Sequence, residues 1–267
     1  MILLQPKDYF KLLAPLEKVA INHLFAKSVL LQHIHGEVYA DQVEDPKTFF
    51  IVHPYGMGLL FGDWKNEDFN KQFRNYALEI DQKRSKTIWV QTFPEDWNAV
   101  LNKMFEGNFG AKIQMNTRVN FDFDEKHYLQ HKVKRQLSEE IEIRKTDKRA
   151  FNDMKGAVVP EFLWNNAEHF EKKGVGFSIY ENNQLATTAF ACFIHEPYLE
   201  IGIETKPEFQ GKGFARLACT ALIDYCIQNR LIPVWACRKE NDKSYQLARK
   251  LGFHATFQLP FYGLMKG

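Results

Sequence analysis

The chain has 267 residues, of which 45% are hydrophobic and 25% charged, a composition typical of a globular protein long enough for two domains. Its 35 basic and 33 acidic residues nearly cancel to a formal net charge of +2, which argues against a nucleic-acid-binding surface. The N-terminus MILLQPKDYFKLL has no long apolar run, basic n-region or small-residue cleavage site. We therefore expect no secretion signal and no membrane partner, and a cytoplasmic location.

The first half of the chain alternates helical and strand-like segments. Apolar spacing predicts a helix over residues 9–25, interrupted at Pro15. Strand patterns and helical spacing then predict, in order, strands at Glu37–Asp41, Thr48–His53 and Gly58–Phe61, a helix over Asn66–Lys83, a strand at Thr87–Phe93, a helix from Pro94 to about Gly107, and a strand at Arg118–Phe123. The charged piece Asp124–Glu142 is predicted to be a linker.

The second half repeats that order of elements. It shows strands at Gly176–Tyr180, Ala186–Phe193 and Leu199–Thr205, a long helix from Gly213, a strand at Ile232–Ala236, a helix over Lys243–Leu251, and a strand from Phe253. These consecutive elements correspond in order, so we predict that the first half is a divergent copy of the second. The fold class is α/β with a mixed sheet, in two domains at 1–130 and 138–267.

The turn between the Leu199 strand and the long helix reads Gln210-Gly211-Lys212-Gly213-Phe214-Ala215. Its small residues leave backbone N–H groups uncovered at the positive end of the helix dipole, which predicts a phosphate cradle. A dinucleotide-binding fingerprint is the rival interpretation, but Arg216 stands where its third glycine is required. An ordinary glycine-containing turn is the other alternative.

This segment resembles motif A of the GNAT acetyltransferase superfamily, Gln/Arg-x-x-Gly-x-Gly/Ala, matched by Gln210, Gly213 and Ala215. The following IPVWACRKENDKSYQLARKLGF resembles that superfamily's next strand and motif B helix, with Asn241, Ser244 and a closing Leu-Gly-Phe at the expected distances. The resemblance covers about residues 140–260, and the whole chain is similar to the zwittermicin A resistance type. It implies a C-terminal GNAT fold preceded by a degenerate GNAT-like half.

The resemblance also implies acetyl-CoA as the co-substrate. The pyrophosphate would lie on the backbone of Gly211, Lys212, Gly213, Phe214, Ala215 and Arg216, with the Gln210 side chain closing the turn. Ile203, Glu204 and Thr205 would pair with the pantetheine arm, and Asn241 and Ser244 would contact the cofactor or a water. Asn241 is equally well interpreted as a helix N-cap.

The first half has no counterpart of this turn. Where the second half has QGKGFA, the first has GDWKNEDF. Its Asp63, Glu67 and Asp68 would repel a pyrophosphate. We therefore expect one phosphate site, in the second half.

Two carboxylates and one tyrosine are the candidate catalytic groups. Glu200 is the first choice of base, because several superfamily members keep a catalytic glutamate there, and Glu204 lies two pleats further on the same face. Both could instead be the polar half of an alternating strand. The superfamily's usual acid, a tyrosine, is replaced by Ala248. Tyr245, one turn earlier, is the substitute candidate, or else a packing residue.

No metal site is expected from the histidines and cysteines. The pairs His33/His35 and His127/His131 have no nearby third and fourth ligand. The four cysteines form no Cys-x-x-Cys pair and lie in apolar segments. They are predicted to be reduced packing residues.

These patterns favour an N-acetyltransferase that acts on the primary amine of a small molecule by direct attack in a ternary complex. The missing tyrosine motivates a first alternative, a catalytically weak acetyl-CoA-binding regulatory module. A Fem-like aminoacyl transferase, which also pairs two such units, is a second alternative. The intact coenzyme A turn counts against it. The patterns define neither the acceptor amine nor an oligomeric state.

Overall fold

The computed structural model describes residues 1–80, 82, 84–132 and 138–266. These residues form two compact units. The first unit comprises Met1–Asn120, Arg238–Glu240 and the segment from Phe257 onward, and the second comprises Phe121–Cys237 and Asn241–Thr256. This division differs from the predicted 1–130 and 138–267 in two respects. Residues 121–130 belong to the second unit, and Arg238–Glu240 and the segment from Phe257 onward belong to the first.

The first unit is built on antiparallel strands followed by a parallel pair. Its elements are β1 (Ile2–Leu3), α1 (Leu13–Leu16), α2 (Leu24–Leu30), β2 (Glu37–Ala40), β3 (Thr48–His53), β4 (Met57–Gly62), α3 (Glu67–Ala77), β5 (Ile88–Phe93), α4 (Trp97–Met104) and β6 (Ile113–Phe123), the last of which ends in the second unit. Strands β1 to β4 pair antiparallel in sequence order. Strand β5 then pairs parallel to β4, because α3 carries the chain back across the sheet.

The predicted helix over residues 9–25 is wrong in its second half. A 3-10 turn at Pro6–Leu12 and the short α1 are followed by an irregular segment, and the next helix begins only at Leu24. Asn120 accounts for the irregular segment, because its side-chain oxygen accepts the backbone N–H of Asn22 at 2.7 Å. Val19 and Ile21 are therefore buried outside any regular helix.

Aromatic side chains fill the core of the first unit between α3, α4 and the sheet. Phe50 lies edge-on to Phe73 and Tyr76, with ring centroids 5.0 and 5.5 Å away. Trp97 and Tyr262 are fully buried in the same cluster. Residues near the C-terminus therefore complete this core, and the end of the chain's final strand pairs with β5.

The second unit repeats the arrangement. Its elements are α5 (Glu125–His131), β7 (Ile141–Lys145), α6 (Lys148–Asp153), α7 (Ala167–Lys173), β8 (Gly176–Glu181), β9 (Gln184–His195), β10 (Tyr198–Thr205), α8 (Phe214–Gln228), β11 (Ile232–Arg238), α9 (Asp242–Lys250) and β12 (Phe253–Leu264). Strands β11 and β12 both end in residues of the first unit. Strands β7 to β10 pair antiparallel in sequence order, and β11 pairs parallel to β10. Short 3-10 turns at Pro160–Phe162 and Pro207–Phe209 precede α7 and α8.

The two units share one order of elements. An antiparallel hairpin, a helix, a strand parallel to the hairpin's second strand, and another helix follow one another as β3, β4, α3, β5 and α4 in the first unit. The same succession is β9, β10, α8, β11 and α9 in the second. The mixed α/β fold and the divergent repeat are both confirmed.

The predicted linker Asp124–Glu142 contains regular structure at both ends. Asp124 caps α5, because its side chain accepts the backbone N–H of His127 at 2.8 Å. Strand β7 begins at Ile141. Residues 133–137 of the predicted linker lie outside the described residues.

Candidate active site

The parallel pair β10 and β11 opens towards its carboxyl end. The two strands are paired only from Tyr198↔Ile232 to Glu200↔Val234. Beyond Glu200, β10 continues its pairing with β9 as far as Thr205↔Thr187. One edge of β10, from Ile201 to Thr205, therefore faces a gap instead of a neighbouring strand, and its backbone is not paired with β11 there. An unpaired strand edge of this kind can bind an extended ligand.

The corresponding pair in the first unit is closed. Strands β4 and β5 are paired from Met57↔Trp89 through to Phe61↔Phe93, at their carboxyl ends. Of these two parallel strand pairs, only β10–β11 therefore has a gap in which a ligand could insert.

A glycine turn joins β10 to α8. Gly211 and Gly213 both have left-handed backbones, with φ of 81° and 82°. Residues other than glycine adopt this conformation only at a cost in free energy. A Cβ atom placed on Gly211 would meet no protein atom within 4 Å. The outer face of the turn is therefore accessible at that point.

The N-terminus of α8 is prepared for an anion. Gly213 is its N-cap residue, and within the described residues no side chain caps this end and no acidic residue lies in the first turn. The first-turn N–H groups and the positive end of the 15-residue helix dipole thus point at the turn. In the first unit, by contrast, Asn66 caps α3 by accepting the N–H of Phe69 at 3.0 Å, and Glu67 and Asp68 follow.

Polar side chains brace the turn from its flanks. The Gln210 side chain reaches back to the Thr205 carbonyl at 3.5 Å and accepts the Lys243 ammonium at 3.2 Å. Lys212 forms an ion pair with Glu181 at 2.5 Å. Arg216 donates to the carbonyl of Lys250 at 3.4 Å, and so it lies near the end of α9. The flanks of the uncapped helix end therefore carry three cations and one carboxylate, a net positive charge that favours an anion.

Phe214 and Ala215 open α8 behind the turn. Phe214 is 1% exposed, so its side chain packs in the core and only its backbone faces a ligand. Ala215 adds no bulk at the helix end. The burial of the Phe214 side chain explains why an apolar residue follows Gly213.

The two candidate carboxylates have different surroundings. Glu200, the last residue of β10 paired with β11, is 6% exposed. Glu204, near the strand end, accepts the backbone N–H groups of Ala157 and Val158 at 2.7 and 2.9 Å. Glu200 thus lies where the gap begins, whereas Glu204 contacts a loop that is distant in sequence.

Helix α9 supplies the remaining predicted residues. Asn241 is the N-cap of α9, because its side chain accepts the N–H of Ser244 at 3.2 Å. The hydroxyl of Ser244 in turn accepts the indole N–H of Trp235, also at 3.2 Å. Tyr245 packs edge-on against Phe121 with ring centroids 5.3 Å apart. Ala248, at the position where the superfamily has its tyrosine, is fully buried.

Several contacts of this site have no signal in the sequence. Glu181, Lys243 and the loop at Ala157 lie 31, 33 and 47 residues away from the site residues that they contact. A glutamate at a strand end, an exposed lysine and an exposed glycine-containing loop are common on any solvated surface.

The cysteines are packing residues, as predicted. All four, Cys192, Cys219, Cys226 and Cys237, are buried and form no disulfide among the described residues. Burial raises the pKa of Cys219, and it raises that of Cys226 to about 12, so these two thiols stay protonated and unreactive at neutral pH. Among the described residues, no group of three or more His, Cys, Asp and Glu side chains is placed to hold a metal ion. No described helix has both the length and the apolar character needed to span a bilayer.

The mixed sheet, its open parallel strand pair and the uncapped glycine turn that follows are those of an acyltransferase fold. The comparisons with known proteins give the family. The model of the GNAT acetyltransferase family matches residues 17–262, and the chain belongs to that family. It is an acyltransferase, as the sequence predicted.

Related proteins agree with this assignment. The uncharacterized N-acetyltransferase YdfB of Bacillus subtilis strain 168 is 30% identical over 244 residues, which cover 89% of each chain. A GCN5-related N-acetyltransferase-like protein from Streptococcus suis has a similar structure, with a TM-score of 0.71 at 18% identity over 97% of this chain and 99% of its own. A tandem GNAT protein from the clavulanic acid biosynthesis pathway gives a TM-score of 0.66 at 10% identity over 100% and 98%. The last two comparisons support the fold, including its two-part organisation.

Proposed function

We propose that this protein transfers an acetyl group from acetyl-CoA to the primary amine of a small molecule, by direct attack within a ternary complex. The observation that carries the proposal is the gap between β10 and β11 beyond Glu200, which leads directly into the uncapped glycine turn of α8. Among the two strand–turn–helix units, this is the one whose parallel strands part.

The residues around the gap fit an extended thioester carrier. The backbone of Ile203, Glu204 and Thr205 offers hydrogen-bonding groups to the amides of the pantetheine arm. The N–H groups from Gly211 to Arg216 bind the pyrophosphate at the end of that arm. The Gln210 side chain, held between Thr205 and Lys243, keeps the turn in place.

Glu200 acts as the base in this proposal. Amines have pKa values of about 8 to 10, so an acceptor must lose a proton near neutral pH, and a carboxylate removes it directly or through a water. The amine nitrogen forms the new C–N bond, the C–S bond breaks, and the coenzyme leaves as a thiolate. Glu200 is the last residue before the gap, and in this proposal the thioester end of the pantetheine arm lies beside it.

Two groups on α9 are candidates to protonate the thiolate. Tyr245 carries a hydroxyl and lies on α9 three residues before Ala248, the position at which the superfamily has its tyrosine. Ser244 accepts from Trp235, which leaves the Ser244 hydroxyl proton free to donate to a water or to the thiolate.

The acetyl-CoA-binding module of low activity remains the second candidate. It is favoured by one observation: Ala248 is fully buried at the tyrosine position. A helix with no acid at that point still holds the carrier but catalyses the transfer less well.

Calorimetric titration with acetyl-CoA, followed by measurement of free thiol in the presence of a panel of small primary amines, tests the proposal. We expect one binding site and amine-dependent thiol release. Binding without release on any amine would support the low-activity module. Absence of binding, with transfer from an aminoacyl-tRNA instead, would support the Fem-like alternative and contradict the proposal.

A further inference from the structure

The side chain of Glu204 holds the loop after α6 at the carboxyl end of β10. One carboxylate oxygen, Oε2, accepts the N–H groups of both Ala157 and Val158, at 2.7 and 2.9 Å. The other oxygen, Oε1, lies 3.3 Å from the N–H of Thr205. Three backbone donors around one carboxylate are a strong arrangement, because hydrogen bonds to a charged acceptor are stronger than neutral ones.

The loop is shaped to receive this carboxylate. Gly156 has a φ of +155°, and a Cβ atom added to it would lie 2.4 Å from the carboxyl carbon of Glu204. A side chain at position 156 therefore cannot coexist with the present position of Glu204. The loop's flanks are fixed in the core, where Met154 is 0% and Val159 1% exposed. Between these anchors, residues 155–157 are exposed and Val158 is only half-buried. Glu204 contacts this stretch through the backbone N–H groups of Ala157 and Val158.

We infer that Glu204 is a positioning residue, which fixes the Gly156–Val158 loop as a wall at the entrance of the gap between β10 and β11. This inference rests on the proposed function, because the gap is the place proposed for the pantetheine arm. Glu204 lies one residue before the end of β10 and six before the phosphate turn begins at Gln210. The loop thus borders the stretch of the gap that the arm crosses between the thioester and the pyrophosphate.

The sign of the effect separates this role from simple electrostatics. Coenzyme A is a polyanion, so removal of a nearby negative charge should strengthen its binding. Removal of Glu204 should instead weaken binding, because the free enzyme then has to order the loop when the ligand arrives. Glu208, an exposed carboxylate in the Pro207–Phe209 turn, provides the matched control for charge.

Hydrogen exchange of the ligand-free protein tests the contact itself. In Glu204→Ala we expect the amides of Ala157 and Val158 to exchange at least tenfold faster, since they lose their acceptor. Gly156→Ala should produce the same acceleration, because its methyl group expels the carboxylate. Glu208→Ala should change neither amide. Unchanged exchange at Ala157 and Val158 in Glu204→Ala would overturn the inference, whether or not the protein proves to be an acetyltransferase.

Calorimetry with coenzyme A tests the consequence for the site. We expect Glu204→Ala and Gly156→Ala each to weaken coenzyme A about tenfold, the double variant to be no weaker than either, and Glu204→Gln to be intermediate. The amide oxygen of glutamine can still accept the two loop N–H groups, which is the basis of that partial rescue. Glu208→Ala should leave affinity unchanged or raise it.

Two results would overturn this role for Glu204. One is a gain of affinity in Glu204→Ala. The other is a Glu204→Gln variant with wild-type affinity whose turnover is lost together with the acidic limb of its pH profile, since Glu204 would then be the base. If the wild-type protein bound no coenzyme A, the proposed function would fail, and the exchange experiment would still decide whether Glu204 holds the loop.

Discussion

Glu200 and Glu204 show how two residues of one strand face differ once tertiary contacts form. The alternation of β10 predicts both as polar residues on the same side, and nothing in their immediate sequence separates them. The structure places Glu200 at the last paired position of the β10–β11 ladder and ties Glu204 to a loop. The proposal of a base therefore rests on Glu200.

Glu200→Gln is expected to lower turnover about a hundredfold or more, because removing a general base costs on that order. Affinity for acetyl-CoA should be nearly unchanged, and the acidic limb of the pH profile should disappear. Steady-state kinetics across pH, with calorimetry for the cofactor, measure all three effects. Full activity in Glu200→Gln would remove Glu200 from the mechanism.

His53 predicts a pH dependence of stability in the first unit. It is fully buried at the end of β3, and burial, with a smaller contribution from the Lys86 ammonium, lowers its pKa to about 3. Its Nδ1 accepts the N–H of Tyr55 at 3.0 Å, as a neutral ring does. An unfolded histidine has a pKa of about 6.5, so below pH 6.5 the unfolded state binds a proton that the native state does not. Stability is therefore lost as the pH falls.

The expected loss of unfolding free energy from this residue is about 2 kcal/mol between pH 7.5 and pH 5. Urea unfolding at the two pH values measures it. His53→Asn is the matched variant, because its side-chain oxygen can replace Nδ1 as acceptor without titrating. The pH dependence of the variant should be smaller than that of the wild type by that amount, and equal slopes would contradict the prediction.

At the scale of the elements, the sequence predicts what periodicity and turn chemistry control. Strands β3, β5, β8 and β11, the helix after Gly213 and the helix capped by Asn241 lie within one or two residues of their predicted bounds. The glycine turn is predicted for the same reason, since its constraint is local.

Elements whose ends depend on distant partners are not predicted. No sequence pattern predicts strand β7 or helices α6 and α7, because their apolar patterns are short. Helix α3 ends at Ala77 instead of continuing towards residue 83, which lies outside the described residues. The opening of the β10–β11 ladder follows from no residue pattern either, and only the resemblance to GNAT enzymes predicts it.

Arg84 accounts for the early end of α3. Its buried guanidinium, 4% exposed, donates to the carbonyls of Tyr76 and Ala77 in the last turn, at 3.1 and 3.0 Å. It also donates to the carbonyls of Leu264 and Met265 at 2.7 and 2.9 Å. One side chain thus terminates a helix and holds the C-terminal strand of the first unit.

Arg84→Lys is expected to lower the unfolding free energy by about 3 kcal/mol, because an ammonium cannot reach both pairs of carbonyls and hydrogen bonds from a charged group contribute about 1.5 to 3 kcal/mol each. Urea denaturation measures the change. Arg74→Lys is the control, since Arg74 is exposed and donates only to Met104, at 3.3 Å, in the contacts described. Equal stability of the two variants would show that Arg84 does not act as this cap.

The turn before α8 gives the second prediction at this scale. Gly213 has a φ of 82°, and valine, which is β-branched, strongly disfavours that backbone and would also cover the first N–H groups of the helix. Gly213→Val should abolish acetyl-CoA binding in calorimetry while circular dichroism shows a folded protein. Gly213→Asn is the matched control, because asparagine tolerates the left-handed region, and it should retain measurable binding. Unchanged affinity in a folded Gly213→Val variant would place the cofactor elsewhere.

At the scale of the whole molecule, the two units share one fold but differ around the parallel strand pair and the helix that precedes its second strand. The first unit keeps the hairpin, the crossing helix and the parallel strand. Its ladder stays closed to Phe61↔Phe93, and its helix N-terminus is capped by Asn66 and followed by two acidic residues. Each of these differences disfavours the carrier binding that we propose for the second unit. Strand pairing fills the gap, a side chain occupies the helix end, and negative charge repels phosphate.

Acetyl-CoA is therefore expected to bind with a stoichiometry of one per chain, at the turn from Gln210 to Arg216. Calorimetry gives the number directly, and the Gly213→Val variant, with its single altered turn, should lose all of the binding heat. Two equivalent sites in the wild type, or a residual site in the variant, would show that the first unit also binds the carrier in spite of its closed strand pair. Loss of a single site on alteration of one turn would mean that the first unit does not bind the carrier. The role of the first unit would then be structural, through the core that Tyr262 and Leu264 complete.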